Sequence, residues 1–382
     1  MRRLNIFSTN EKDYSDEFEI SYGHYIDNKF DLHASGGANV LGYSNPYIIE
    51  SINKHINTCT SSFWKLKHSI WTELENKIDI ITDYRYESFI PSLNGGSGVD
   101  TALKLIWSYW KKENTNKNII LVRKKSFHSG SISGWQMVYN QPFSKHWPQM
   151  KIVEFFDDLE SKILELGIEN IAGVLVDTIP WNGGLQNNSI DWWKEFQSIV
   201  IKYNLLLCVD EVLTGIGRLG CWLHSHQIGL KPNIIILGKA LSAGHENLSL
   251  TIIDNRVTEN VKSEWLAIGN TRSNNTMGAV VTCSVIDYMI TNKSLDYINS
   301  TIIPYINDLK EIFKIYGIEV YTEGTMIQAY TKDFEKFEKI INSNHLYHNW
   351  SGFWHLPFYD ITKEEMAFVK DNIEKSLTEF TR

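Results

Sequence analysis

The sequence predicts an α/β fold, with a large domain on a mainly parallel sheet and a small α+β domain drawn from both chain ends. Three observations carry this. Short β-branched apolar runs recur between polar or turn residues, at 119–122, 171–176, 205–209 and 234–237, as suits strands buried on both faces. Stretches with helical apolar spacing, 99–111 and 190–203, fall between them, so strand and helix alternate. The chain ends read differently. Residues up to about 45 are rich in turn residues. After about 280 come helical segments (278–291 and 297–316), strand-like 319–321 and 326–330, and a last helix over 362–380. The expected division is 1–45 and 276–382 in the small domain and 46–275 in the large one.

Composition excludes several classes. The 382 residues carry a net charge of -8, with 43% hydrophobic and 21% charged residues. This is ordinary for a globular enzyme and leaves no basic face for nucleic acid. No stretch has the length of a membrane-spanning helix, and the N-terminus shows no apolar signal segment. Cys59, Cys208, Cys221 and Cys283 form no CxxC pair. Neither zinc nor a redox motif is expected, no metal site is called, and the usage fits a cytoplasmic protein.

The chemistry begins at the strand ends. The run 205–209 ends in Asp210-Glu211, and 234–237 runs into Gly238-Lys239, 29 positions beyond Asp210. Taken singly, the acid could serve a salt bridge and the lysine could reach the surface. Ligands of open α/β sheets bind beyond the carboxyl ends of the strands, so the two together suggest more. A pyridoxal-phosphate (PLP) enzyme needs a lysine that holds the cofactor as an aldimine and an acid that keeps its ring nitrogen protonated, both on one sheet edge. Asn94-Gly95-Gly96-Ser97-Gly98 precedes the helix at Val99. A glycine-rich turn at a helix N-terminus offers free N–H groups to a phosphate. Gly215 to Gly220 match GxGxxG, but Asp210 to Thr214 intervene after the strand and no acid follows at the required distance, so no dinucleotide site is expected.

With these residues in view, the chain resembles the class III (ornithine/diaminopelargonate-type) PLP-dependent aminotransferases from about residue 20 to 378. The blocks that carry the resemblance are Gly42 to Pro46, Asn94 to Ser97 with Lys104, Phe127-His128, Val209 to Gly220, and Pro232-Asn233 with Leu237 to Leu241. The resemblance implies PLP fold type I and a homodimer with active sites at the subunit interface. Lys239 and Asp210 would be catalytic. Gly96 and Ser97 would bind the phosphate, joined by Thr271 of the partner subunit. Phe127, in the Phe127-His128 pair, would stack on one ring face and Val212 would cover the other. His128 is carried over with the cofactor site. The implied reaction moves an amino group from a small-molecule donor to a carbonyl acceptor. A PLP aminomutase on the same scaffold and a diaminopelargonate-type aminotransferase stay open as alternatives.

Departures from the family pattern cluster on the substrate side. Asp177-Thr178 stands for Glu-Pro, Gly98 for a glutamate, Arg272 for an aromatic, Thr276 for a proline and Leu356-Pro357 for Pro-Pro. Asp177 and Arg272 are therefore candidate substrate residues. No arginine lies between Ser273 and Thr381. The arginine fork that many relatives use on a substrate carboxylate is thus missing from that stretch, leaving Arg272 or the polar cluster His345, His348 and Asn349 as candidates.

Overall fold

The computed structural model describes residues 21–58, 67–113, 115, 117–129, 151–155, 158–181, 184–185, 187–262, 268, 273–349 and 352–382. Its centre is a seven-stranded sheet. From one edge to the other the strands are Ser88–Ser92, Ser249–Ile253, Ile234–Leu237, Leu206–Asp210, Ile171–Asp177, Ile119–Arg123 and Lys151–Phe155. Only Ser249–Ile253 runs against its neighbours; the other pairings are parallel. The four runs named from sequence are the four inner parallel strands, and they are buried along their whole length. Continuous burial explains their unbroken apolar character.

The two edge strands were not among those runs. Ser88–Ser92 contains Pro91, whose missing N–H is tolerated only where one side of the strand is unpaired. Lys151–Phe155 carries Lys151 and Glu154 and is only partly buried, as charge on an edge strand requires.

Helices cover both faces. Gly95–Lys112 packs Val99, Leu103, Ile106 and Trp110 onto the sheet, and its N-cap Asn94 accepts the Ser97 N–H at 2.9 Å. Ile190–Lys202 puts Trp193, Phe196 and Val200 on the other face, capped by Ser189. Thr276–Thr291 is buried on nearly every side, between Pro46–His55, Ser69–Ile81 and the turn at Lys239.

A small four-stranded sheet joins the two ends of the chain. Lys29–Asp31 pairs in parallel with Leu346–Tyr347, and Ser21–Tyr22 and Tyr25–Ile26 extend it. A second small sheet holds Glu319–Glu323, Met326–Tyr330 and Phe353–His355. The helix expected over 297–316 divides into Ser294–Tyr297, a π-helical turn Ile298–Ile302 and Ile303–Ile315. Pro304 explains the break: it has no N–H for the preceding turn, so the backbone widens there.

Candidate active site

The parallel strands deliver their carboxyl ends to one cavity of about 1030 Å³. Lys239, Asp210, Asp177, Val212, Phe127, Gly96 and Ser97 all line it. Residues spread over more than 140 positions of sequence thus meet because four strands and one helix end at the same edge of the sheet.

Asp210 is buried at its strand end. Its Oδ2 lies 2.8 Å from His128 Nδ1, and its Oδ1 accepts the Val212 N–H at 3.0 Å. The salt bridge that an isolated acid would need is therefore made to His128. Burial pushes the His128 imidazole down, but the Asp210 hydrogen bond and charge, with Asp177, raise it above its ordinary value. His128 is fully buried behind Asp210, and no partner among the described residues meets its Nε2. It is not among the cavity-lining residues, so its contact is with the acid and not with a ligand in the cavity. Glu211 turns the other way. It accepts the Ser225 N–H at 2.8 Å and the His224 N–H at 2.9 Å, tying the following loop to the strand.

Lys239 follows Gly238 with φ +46, a left-handed conformation that costs free energy for a side-chain-bearing residue. This turn swings the side chain from the end of its strand into the cavity. The residue keeps some surface toward the cavity while protein surrounds its amine. Burial lowers the ammonium to about 8, with the Asp210 charge pulling upward and Arg218 pushing further down. An amine near that value is available as a nucleophile and as a base at neutral pH.

Asp177 is the register partner of Asp210 on the adjacent strand. Its Oδ1 accepts the Ser126 hydroxyl at 2.5 Å and its Oδ2 the Phe127 N–H at 3.2 Å. Burial raises its carboxyl above the usual range, against the lowering influence of His128, Ser126 and Arg123. Both oxygens are thus turned to the Phe127 loop, a role its candidacy as a substrate residue did not anticipate. Phe127 itself is 43% exposed, although large aromatic side chains usually bury themselves, and its exposed surface faces the cavity.

The remaining groups form a cradle. A Cβ on Gly96 would stand 2.7 Å from Ser129 Oγ, and one on Gly95 would stand 2.9 Å from Val212 Cγ2. Only glycine lets the backbone come this close, and Gly95 and Gly96 line the cavity at the start of the helix. Gly98, which replaces a glutamate of the family pattern, has a packing reason. Its Cβ would stand 2.7 Å from Ile236 Cγ2 and 2.9 Å from Ser249 Oγ. These residues fit PLP: a phosphate cradle, an acid for the ring nitrogen, surfaces for both ring faces and an amine for the aldehyde.

Thr271 and Arg272 lie outside the described residues. His345, His348 and Asn349 do not line the cavity; His348 is buried, stacked with Phe353 and bonded to the Trp354 N–H. The buried histidine packs inside the small sheet region, while His345 and Asn349 are exposed away from the cavity lining. The GxGxxG run opens no helix. Ile216, Gly217 and Gly220 have positive φ, and Arg218 is fully buried.

Two features escaped the sequence reading. Ala34, Ser35, Gly36 and Gly37 all have positive φ, forming a left-handed turn whose Ser35 lines the cavity. Gly36-Gly37 was the available signal. Arg218 fixes this turn, donating to the Gly37 carbonyl at 3.2 Å, the Pro357 carbonyl at 3.0 Å and Thr325 Oγ1 at 3.2 Å. Trp181 also lines the cavity, and it stacks on Trp354 with ring centroids 3.8 Å apart and 6° between planes. No spacing rule links residues so distant in sequence.

The fold and cavity together are those of a PLP-dependent transferase of fold type I. The chain belongs to the class-III aminotransferases, whose family model matches residues 26–375. PLP is the cofactor of this family. A chloroplastic gamma aminobutyrate transaminase 3 of Solanum lycopersicum is 27% identical over 298 residues, covering 70% of this chain and 57% of that protein. A vanillin aminotransferase of Capsicum annuum is 26% identical over 281 residues, covering 66% and 61%. These alignments span less than two thirds of the relatives' own length. Among solved structures, a PLP-bound amine transaminase from an uncultivated Pseudomonas species superposes with TM-score 0.85 at 18% identity, covering 99% of this chain and 98% of that one.

Proposed function

We propose that the protein is an aminotransferase that takes an amino group from a small-molecule donor and delivers it to a carbonyl acceptor. The observation that carries this reading is the convergence of Lys239 and Asp210 on one cavity with the Gly95-Gly96-Ser97 cradle. Bound PLP supplies an electron sink that makes the C–H bond beside the transferred nitrogen acidic. Lys239 would hold the cofactor covalently, and its amine would take the proton from the donor carbon as general base and return a proton as general acid. Asp210, braced by His128, would keep a proton on the ring nitrogen. Phe127 and Val212 would bracket the ring, and Gly96 and Ser97 would bind the phosphate, Ser97 through its hydroxyl because its N–H is given to Asn94 Oδ1. Asp177 holds the Phe127 loop in place.

The active unit is a homodimer with its sites at the subunit interface, where Thr271 of the partner subunit reaches the phosphate; the family resemblance supports this. A cytoplasmic location fits the free thiols of Cys208, Cys221 and Cys283. No helix among the described residues is long and apolar enough to cross a membrane.

The test is incubation of the PLP-loaded protein with a panel of amines and amino acids, following the cofactor absorbance and the products. Amino transfer leaves an aminated cofactor on the protein and releases a carbonyl product. An isomerised amine with no released carbonyl would make the protein an aminomutase, and no spectral change with any amine would remove the reading.

A further inference from the structure

The wall of the cavity beside Lys239 is aromatic and rigid. Trp181 is half-buried and lines the cavity, and its ring is backed by Trp354, which is only 3% exposed. Trp354 sits on the strand Phe353–His355, and the apolar cluster around it includes Ile179, Leu219, Met326 and Leu356. A ring held this way keeps its orientation without a ligand, so a substrate stacking on it orders little that is not already ordered. Lys239 Nζ lies 5.7 Å from the Trp181 ring centroid. The transferred nitrogen must come to Lys239, so a substituent on the carbon next to that nitrogen falls within reach of the indole.

The charges of the described lining argue against a carboxylate on the substituent. Among the described lining residues Lys239 is the only basic side chain, against Asp100, Asp177, Asp210 and Glu246. Its amine is committed to the chemistry. Arg218 is fully buried and spends its guanidinium on the Gly37 and Pro357 carbonyls and Thr325. Among the described residues, a substrate carboxylate on this wall would therefore meet acids and no arginine fork.

We propose that Trp181, locked by Trp354, is the specificity-determining residue, and that the donor is a primary amine with an aryl group, and no carboxylate, on the carbon that bears the nitrogen. This rests on the aminotransferase reading above. The aryl ring stacks on Trp181, while Ile179 and Leu213 supply the apolar surround.

The experiment compares 1-phenylethylamine, 2-aminobutane and alanine as donors with the PLP holoenzyme, and measures binding of the unreactive alcohols 1-phenylethanol and 2-butanol by calorimetry. The expected order of kcat/KM is 1-phenylethylamine above 2-aminobutane above alanine, and 1-phenylethanol should bind more tightly than 2-butanol. Trp181→Leu should lower the aryl-to-alkyl ratio of kcat/KM about tenfold, mainly through KM, and weaken 1-phenylethanol about as much. Trp181→Phe, which keeps a ring, should restore most of the ratio. Alanine turned over best, or equal binding of the two alcohols by the unsubstituted holoenzyme, would overturn the inference even if no variant folds. A holoenzyme that accepts amino groups from none of the three donors, yet binds 1-phenylethanol selectively, would count against the aminotransferase reading and leave the aryl site standing.

Discussion

Asp177 and Asp210 stand side by side at the ends of adjacent parallel strands, yet each carboxylate is held by its own donors. Asp210 is bonded to His128 and the Val212 N–H, and Asp177 to Ser126 and the Phe127 N–H. Two buried acids so close together are costly unless each is compensated. His128 serves both, through a hydrogen bond to Asp210 and through its charge toward Asp177. The arrangement fits two separate tasks: on the proposed reading Asp210 would serve the cofactor's ring nitrogen, while Asp177 holds the loop that carries Phe127.

If Asp177 is a positioning residue, Asp177→Ala should act first on cofactor binding. Loss of two charge-assisted hydrogen bonds frees Ser126 and Phe127, and the dissociation constant for PLP should rise about tenfold or more. Absorbance titration of the cofactor-free protein measures it. Asp177→Ala with unchanged PLP affinity and a raised donor KM would assign the residue to the substrate instead.

The lowered value of Lys239 gives a pH signature. Only the neutral amine adds to the PLP aldehyde, and Lys239 reaches that form through about pH 8. The rate of cofactor attachment should therefore rise by about tenfold from pH 7 to pH 9 and then level off. Stopped-flow absorbance reads it directly. A rate still climbing beyond pH 10 would mean that Lys239 is not desolvated in the cavity.

Arg218 links the family's GxGR segment to the left-handed turn at Ala34 to Gly37. Replacing it with methionine keeps much of the volume but leaves the Gly37 and Pro357 carbonyls without their donor. The cost should be about 2 kcal/mol or more, seen as a lower midpoint of urea denaturation. Donor KM should rise as well, because Ser35 on that turn lines the cavity. Wild-type stability together with wild-type KM would show that the turn holds itself.

His24 joins the N-terminal strands to the start of the last helix. Its Nε2 lies 3.0 Å from Asp360 and its Nδ1 2.9 Å from Glu365. Burial lowers the imidazole, but these two carboxylates raise it to about 9. A raised folded value stabilises the charged form, so the contribution is complete below about pH 6.5 and is lost as pH rises through about 9. Thermal denaturation of the wild type and His24→Gln should differ most near pH 6 and converge above about pH 9.5. A gap independent of pH would show that His24 acts by packing alone.

The inner half of the sheet was legible because four strands are buried on both faces and must read as continuous apolar runs. Lys239 and Asp210 were legible because a charged residue directly after such a run is conspicuous. His128 was found only through the Phe127-His128 pair, and its position behind Asp210 could not be read from spacing. The edge strands were less visible, since proline and charge break their pattern, and in Ser249–Ile253 the buried Ser249 and Thr251 interrupt the apolar run. Trp181 and Trp354 meet through tertiary packing alone. The left-handed turn before Ala38 depends on carbonyls held by Arg218, which lies far away in the chain.

The central claim is that Lys239 is the residue that takes the cofactor. The direct measurement is borohydride reduction of the PLP-treated protein, followed by proteolysis and peptide mass mapping. The account predicts one phosphopyridoxyl group per chain, on the peptide containing Gly238-Lys239-Ala240, and none on Lys239→Ala treated in the same way. A reduced adduct on another lysine of the unsubstituted protein, or one of equal yield in Lys239→Ala, would contradict it.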